Sequence, residues 1–573
     1  MFNGYYGANS NTVDLTGTVT AYQGYGAWFY SGLGTTSGNT VTLNGSWTTE
    51  RDVVRFLAYA GANTNTVTFN STVKTYNGYG VYIQSGTYAG NTANGNKIYL
   101  NSGSLTTSET NVRIYGEYGA NNNVIDFTGT VLSYNGYGAF IQSDAGTASS
   151  NTIALDGSWT APLGIALIFG NQGADNNTLT FNGAVQATSG GGVYIYGGNG
   201  ATGNASGNRV YLTGAPLTVR NRIVSITGTY DANNSVIDLS GDTQSTIDRG
   251  IQIAGYQGTA NGNTVTLNSG GSLTSQSHSI FLYGGTDASN NDVIIDGDVR
   301  SYTSYGVLMR SGFGATTGNN TVELNAGASI TAFRDGVYLY SRNAVDDNVV
   351  TIDGYIRSYF GYGVRIRPRF SGIGSGNKVY VGGTGRIVAY LDGVGVDDDG
   401  PHGMYVAAGA YISNTLGYAL FGGNGATTAI NAGTLISASG TSVYLNPGDD
   451  FLTLRTGSSL TGIADGGPDF DTLTLEGTGS EDDDFVNFEA LVMNGVEWTL
   501  TNSVDLGGSG ATDIQMGKLI IDNVLTSPTV TIQPAGTLGG SGTVVGNVDD
   551  SGMIMPPDGG GFTIDGDGTF NSG

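Results

Sequence analysis

The sequence predicts an all-β fold: a single-stranded, right-handed parallel β-helix with about 28 residues and three strands per coil, stacked into roughly 20 coils. Three observations predict it. One seven-residue phrase, Asn-x-Val/Ile-x-Leu/Phe-x-Gly or a close variant, begins at 11, 39, 65, 96, 123, 151, 177, 208, 235, 263, 291, 320, 348 and 377, a mean period of about 28. Two further short alternating segments recur between successive phrases. Equivalent residue types recur at one-coil spacing, as in-register stacking at roughly 4.8 Å requires and an antiparallel meander does not.

The phrase is the first strand. Its third position is aliphatic, and its fifth is Leu, Phe, Ile or Val. With a side-chain period of two, positions one, three and five share the inward face, while Thr12, Asp14, Thr42 and Thr68 point to solvent. Position one is Asn11, Asn39, Asn65, Asn96, Asn123, Asn151, Asn177, Asn208, Asn263, Asn291, Asn320, Asn348 and Asn377, with Ser235 the exception. An amide at one place in every coil is expected to form a hydrogen-bonded ladder. The alternative is that these Asn residues are turn formers at left-handed positions. Both readings are structural.

The second strand follows the glycine, as in Thr18-Val19-Thr20, Ser46-Trp47-Thr48 and Thr130-Val131-Leu132-Ser133. The third is more apolar, as in Ala27-Trp28-Phe29, Val81-Tyr82-Ile83 and Val193-Tyr194-Ile195. All are rich in Val, Ile, Thr and Tyr between Gly, Asn, Ser and Asp, the signal for short strands between turns, and no helical spacing competes. Tyr22 to Gly26, Tyr76 to Gly80 and Tyr134 to Gly138 fall only in odd coils. Even coils carry Gly45-Ser46-Trp47 or Gly157-Ser158-Trp159, so the repeating unit is two coils.

Composition bounds the partners. A solenoid grows in one dimension, so 573 residues need no single large core, and the expected rod is on the order of 100 Å long. Acids outnumber bases 46 to 21, a formal charge of −25, which disfavours nucleic acid because phosphate binding needs clustered Lys and Arg. The absence of cysteine removes thiolate metal sites, Cys catalysis and disulfides. No run of eighteen apolar residues exists, so membrane insertion by a helix is not expected. The chain opens on what reads as the tail of a coil and stops in mid-pattern. It is therefore expected to be part of something longer, or a subunit whose ends dock on neighbours.

After residue 383 the phrase fades, and residues 384–573 are expected to form shorter, less regular coils than the two-coil repeats of 1–383. Three segments there carry a likeness: Asp471 to Gly479; Val486 to Leu491 followed by Glu497 to Thr501; and Thr537 to Val548 followed by Gly552 to Pro557. The region 430–573 resembles the passenger of bacterial autotransporters, whereas 1–430 shares only general β-helix character. Two departures stand out: the 573 residues contain no translocating barrel, which release or truncation is expected to explain, and Met555-Pro556-Pro557-Asp558-Gly559 replaces the usual Ser-Pro-Gly. The resemblance implies a surface-exposed rod on a Gram-negative cell, whose C-terminal coils fold first and help to pull the rest out.

Candidate chemistry is sparse. Asp397-Asp398-Asp399-Gly400-Pro401-His402-Gly403 is superficially similar to a polygalacturonase signature. It packs acids and imidazole into one Gly/Pro loop, however, and reads as a solvated acidic turn. His278 reads as a turn residue. Glu481 to Asp484, Asp346-Asp347 and Asp449-Asp450 read as acidic loops, and Gly466 to Asp471 as one imperfect copy of a calcium nonapeptide. No cofactor is expected, with calcium the one metal considered. The candidate contact surface is the outward position of the third strand, Trp28, Arg55, Tyr82, Arg113, Phe140 and Tyr194, where aromatic and guanidinium groups alternate. It either stabilises its own sheet or meets glycans, a host or neighbouring-cell surface, or another copy of the chain. The expected function is a non-enzymatic surface rod mediating adhesion or self-association. The alternatives are a structural subunit of an extracellular filament or coat, and a polysaccharide-active enzyme.

Overall fold

The computed structural model describes residues 1–570 apart from 87, 89, 201, 215, 313–314, 370–373 and 558–560, so Asp558 and Gly559 of the terminal segment lie outside the described residues. The chain is a right-handed parallel β-solenoid with no helix among those residues. It divides into two compact units, residues 1–303 with 309–312 and residues 304–308 with 313–573.

In the first unit each coil contributes one strand to each of three parallel sheets. The first sheet runs from Thr12–Leu15 through Thr40–Leu43 and Thr66–Phe69 to Asp292–Ile295, and its pairings place Val13 on Val41, Val41 on Val67 and Val67 on Ile98. The second begins Val19–Ala21, Trp47–Thr49, Val73–Thr75, and the third begins Phe2–Gly4, Ala27–Ser31, Val54–Ala58. Burial alternates along the strands, so Val41, Leu43 and Phe69 are fully buried while Thr42 and Thr68 face outward. This is the parity expected from the phrase.

The ladder asparagines sit at the corner between the third and first sheets, fully buried from Asn39 onward. Along the run one Asn donates twice to the next: Asn39 N and Nδ2 lie 3.1 and 2.9 Å from Asn65 Oδ1, and Asn151 N and Nδ2 lie 2.9 and 3.0 Å from Asn177 Oδ1. The second hydrogen of the amide reaches a corner carbonyl of the preceding coil, as from Asn39 Nδ2 to Ala8 O at 2.8 Å. The left-handed residue is the one before the ladder position, including Ser10, Gly38, Thr64, Gly95, Asn122, Ser150 and Asn176. The two readings of the asparagines thus fall on neighbouring positions: the ladder uses the Asn, and the residue before it takes the positive φ.

Ser235 breaks the series. Its hydroxyl accepts from Asn208 N at 3.3 Å, but Asn208 Nδ2 is left buried without a partner. Ser235→Asn restores the acceptor and is expected to stabilise these coils by about 1–2 kcal/mol. The check is increased hydrogen-exchange protection across residues 208–263; unchanged or weaker protection would count against it.

The two-coil repeat has a packing cause. The second glycine of each Tyr-x-Gly-Tyr-Gly motif lies against a large side chain of the following coil. A Cβ on Gly26 would fall 2.8 Å from the Trp47 ring, one on Gly80 3.0 Å from Leu105, and one on Gly138 2.4 Å from Trp159. Odd coils supply the space and even coils fill it.

In the second unit the Asn ladder continues through Asn320, Asn348 and Asn377. From there the coils shorten. Val379 pairs with Met404 and Met404 with Ala429, 25 residues apart; Leu473 pairs with Leu491 and Val530 with Val548, 18 apart. Separate strands fuse across lost corners, as in Ala490–Leu500 and Val524–Gly539.

Candidate functional site

Register in the third sheet of the first unit brings Trp28, Arg55, Tyr82, Arg113, Phe140 and Tyr194 into one outward column, with Leu167 between the last two. The Arg55 guanidinium lies 4.9 Å from the Tyr82 ring centre, and that of Arg113 lies 5.9 and 5.2 Å from Tyr82 and Phe140. These are cation–π contacts. The column is half-buried rather than open, because the second tyrosine of each motif folds over it: Tyr25 on Trp28, Tyr79 on Tyr82 and Tyr137 on Phe140, with ring centres 4.9, 5.0 and 5.4 Å apart. Burial pushes the hydroxyl pKa values of Tyr82, Tyr137 and Tyr194 above the usual tyrosine range. The exposed rings are instead Tyr22, Tyr76 and Tyr134, the first of each motif.

Beside the column is a cavity of about 850 Å³, lined by Tyr25, Glu50, Arg51, Asp52, Asn77 and Tyr79 among others. Asp52 organises it. Its buried Oδ1 accepts the Tyr79 N–H at 3.0 Å and its Oδ2 meets Arg55 at 3.4 Å, while burial raises its pKa against the pull of both contacts. Gly78 is required here because a Cβ would fall 2.6 Å from Asp52 N and Oδ1. The exposed Arg51 and the half-buried Arg55 both donate to the Tyr25 hydroxyl, at 3.3 and 2.9 Å. Asn77 donates to Glu50.

The second unit builds the same corner again. Asp335 Oδ1 accepts the Tyr362 N–H at 3.0 Å, Gly361 lies over it, and Arg334 donates to the Tyr305 hydroxyl at 3.4 Å. Burial raises Asp335 to about 6. The polar pair Glu50 and Asn77 is replaced by Phe333 and Phe360, with ring centres 4.6 Å apart. Each corner offers aromatic faces, a guanidinium and, in the first unit, the exposed Asn77 amide and the half-buried Glu50 carboxylate. Such a set suits polyhydroxylated or acidic ligands, and the sequence column alone did not reveal it. The available signal was an Arg-Asp pair at 51–52 and again at 334–335, each followed one coil later by Gly-Tyr.

The acidic segment at 397–403 requires a correction. Asp398 and His402 are not in a solvated turn: both side chains are fully buried, with Nδ1 of His402 2.9 Å from Asp398 Oδ1. His402 Nε2 faces the Gly423 N–H at 3.4 Å and the Thr427 hydroxyl at 3.0 Å, which places the ring proton on Nδ1. The order Asp–His–hydroxyl has the connectivity of a nucleophile relay. Thr427 is itself fully buried, so no substrate carbonyl reaches its hydroxyl in this arrangement. The cause is register: His402 stands in the ladder column, between Asn377 and Thr427.

The acidic loops also divide. Asp450 and Glu481 are buried, not loop residues in solvent, and Asp471 of the calcium-like segment is buried as well. Asp346 accepts the Ser375 N–H at 3.0 Å, and Asp347 takes a left-handed φ of 52° at the corner before Asn348. No cluster of three or more His, Asp or Glu side chains has metal-binding geometry among the described residues. His278 lies between strands and packs against Phe281 with the rings tilted, their centres 5.3 Å apart. No protein-family model matches the chain, and no match was found among curated proteins or solved structures.

Proposed function

We propose that the chain is a non-enzymatic surface solenoid that adheres to glycans or to other copies of itself, using the Tyr25–Arg51–Asp52–Tyr79 corner and its counterpart Tyr305–Arg334–Asp335–Tyr362. The observation that carries this reading is the rebuilding of one Tyr–Arg–Asp–Tyr arrangement, with the same donors and acceptors, in both units. Arg51 is exposed, and its guanidinium donates to the Tyr25 hydroxyl rather than to Asp52, which Arg55 meets. The likeness of residues 430–573 to autotransporter passengers supports placement on the outside of a Gram-negative cell, and the high acid content suits a solvated surface.

The test is retention of the full chain on immobilised neutral and acidic polysaccharides, together with its sedimentation behaviour. Tyr25→Ser with Arg51→Ser, and Tyr305→Ser with Arg334→Ser, are each expected to weaken binding by about tenfold or more, equivalent to about 1.4 kcal/mol. Circular dichroism should stay unchanged. A wild-type chain that is monomeric and retained by no polysaccharide would sink the proposal. Cleavage of a polysaccharide would assign an enzyme instead, and long periodic filaments in micrographs would assign a structural subunit.

A further inference from the structure

In the second unit the ladder column does not stop at Asn377. The register carries it through His402 and Thr427 to Asp450, Asp471 and Glu489, one rung per coil. The backbone half of the ladder survives the change of residue type. Thr427 N–H donates to Asp450 Oδ1, Asp450 N–H to Asp471 Oδ1 at 2.9 Å, and Asp471 N–H to Glu489 Oε2 at 2.8 Å. These bonds repeat the N–H to Oδ1 bonds of the Asn rungs.

The side-chain half cannot survive unchanged. In an Asn rung the amide nitrogen sits between two acceptors, the next Oδ1 and a corner carbonyl, and donates to both. Asp450 and Asp471 put an oxygen at that end of the side chain. Both residues are fully buried, and the Oδ2 atom of each has no hydrogen-bond partner. The charged groups acting on the pair, Asp449, Asp469 and Glu489, are all acidic, and the remaining close partners are the Thr427 hydroxyl and N–H and backbone N–H groups. A deprotonated stack therefore aims lone pairs at lone pairs in a buried corner.

We propose that Asp450 and Asp471 carry protons in the folded protein, each Oδ2–H standing in for an amide donor, so that residues 450–489 form a proton-dependent section of the ladder. Burial and neighbouring carboxylates push Asp450 up to about 8 and Asp471 up to about 7. Because the folded values exceed the unfolded ones, the stabilisation is complete only below the ordinary carboxylate range, about pH 4, declines as pH rises from there, and is fully lost above about 7 to 8. The section thus loosens progressively toward mildly alkaline surroundings, while the Asn rungs, which do not titrate, hold.

The experiment is hydrogen exchange by mass spectrometry on the full chain from pH 5 to 9, expressed as protection factors and referenced to residues 123–181. Protection across 450–493 is expected to fall by up to about tenfold per pH unit for each carboxyl still protonated in the fold, from pH 5 to about 7 to 8, and to level off above that. Asp450→Asn with Asp471→Asn restores amide donors and should flatten that dependence, leaving protection at pH 8.5 above wild type. Equal slopes in the two proteins, or a flat wild-type profile, would overturn the proposal. So would protection at pH 8.5 that returns on adding calcium, since a cation would then occupy the proton's place. Should the double variant fail to fold, infrared spectroscopy of the wild type decides. A protonated-carboxyl band present at pH 6 and lost by pH 9 supports it, and its absence at pH 6 overturns it.

Discussion

Asn151→Ala is expected to open the middle of the first unit while leaving distant coils intact. Asn151 Oδ1 accepts two hydrogen bonds from Asn123, at 3.0 Å each, from the backbone N–H and from Nδ2. Alanine removes that acceptor and strands both donors in a corner with no solvent access. A buried donor left unsatisfied costs about 1–3 kcal/mol, so the pair amounts to about 2–5 kcal/mol. Coils in a solenoid contact only their neighbours, so the loss appears locally rather than as one global transition. Hydrogen exchange should report a fall in protection of about two to three decades across residues 123–181, at about 1.4 kcal/mol per decade. Residues 12–69 should change little. Asn151→Asp separates lost geometry from lost hydrogen: it keeps Oδ1 for Asn123 but offers an oxygen to Asn177 Oδ1. It should resemble wild type at acid pH and approach the alanine variant in alkali. If Asn151→Ala leaves local protection within threefold of wild type, the ladder contributes little to stability.

The sequence made the ladder legible because one residue type recurs at one phase of a two-residue side-chain period, with aliphatic residues at the third and fifth positions to fix which face is inward. It made the third-sheet column legible for the same reason, since Trp28, Arg55, Tyr82 and Arg113 fall in one register. What it hid depends on neighbours in adjacent coils. That Tyr25 and Tyr79 fold over the column follows from Arg55 and Asp52, which are more than twenty residues away from one or the other. The burial of His402, Asp450 and Asp471 was hidden for another reason. The coil shortens from 25 residues to 18 while the residue type at the rung changes, so neither the spacing nor the identity that marked earlier rungs remains to be counted. Composition then read these acids as solvated, which is the usual fate of a carboxylate. Only register, fixed by backbone pairing, reveals them as rungs.

Trp159→Ala is expected to be as damaging as the loss of a rung, and comparison with Trp47 shows why the two tryptophans are not equivalent. Both are almost fully buried in even coils, and both fill the space left by a glycine in the coil before, Gly138 for Trp159 and Gly26 for Trp47. Trp159 also lies between Phe127 and Phe181, with ring centres 5.7 and 6.4 Å away. Truncating such a side chain costs about 3–5 kcal/mol, because rigid coils above and below cannot close the cavity. The indole N–H adds a polar term: it donates to the buried Asn111 Oδ1 at 3.2 Å, whereas the indole N–H of Trp47 is buried without a partner. Phenylalanine keeps most of the volume and removes only the donor. Trp159→Phe should therefore cost about 1–3 kcal/mol more than Trp47→Phe, which gives up no hydrogen bond. Thermal melts and exchange protection of residues 105–185, measured for all three variants, test the order Trp159→Ala worst, Trp159→Phe intermediate, Trp47→Phe mildest. Equal effects of the two phenylalanine variants would show that volume alone, and not the Asn111 contact, sets the cost of opening these coils.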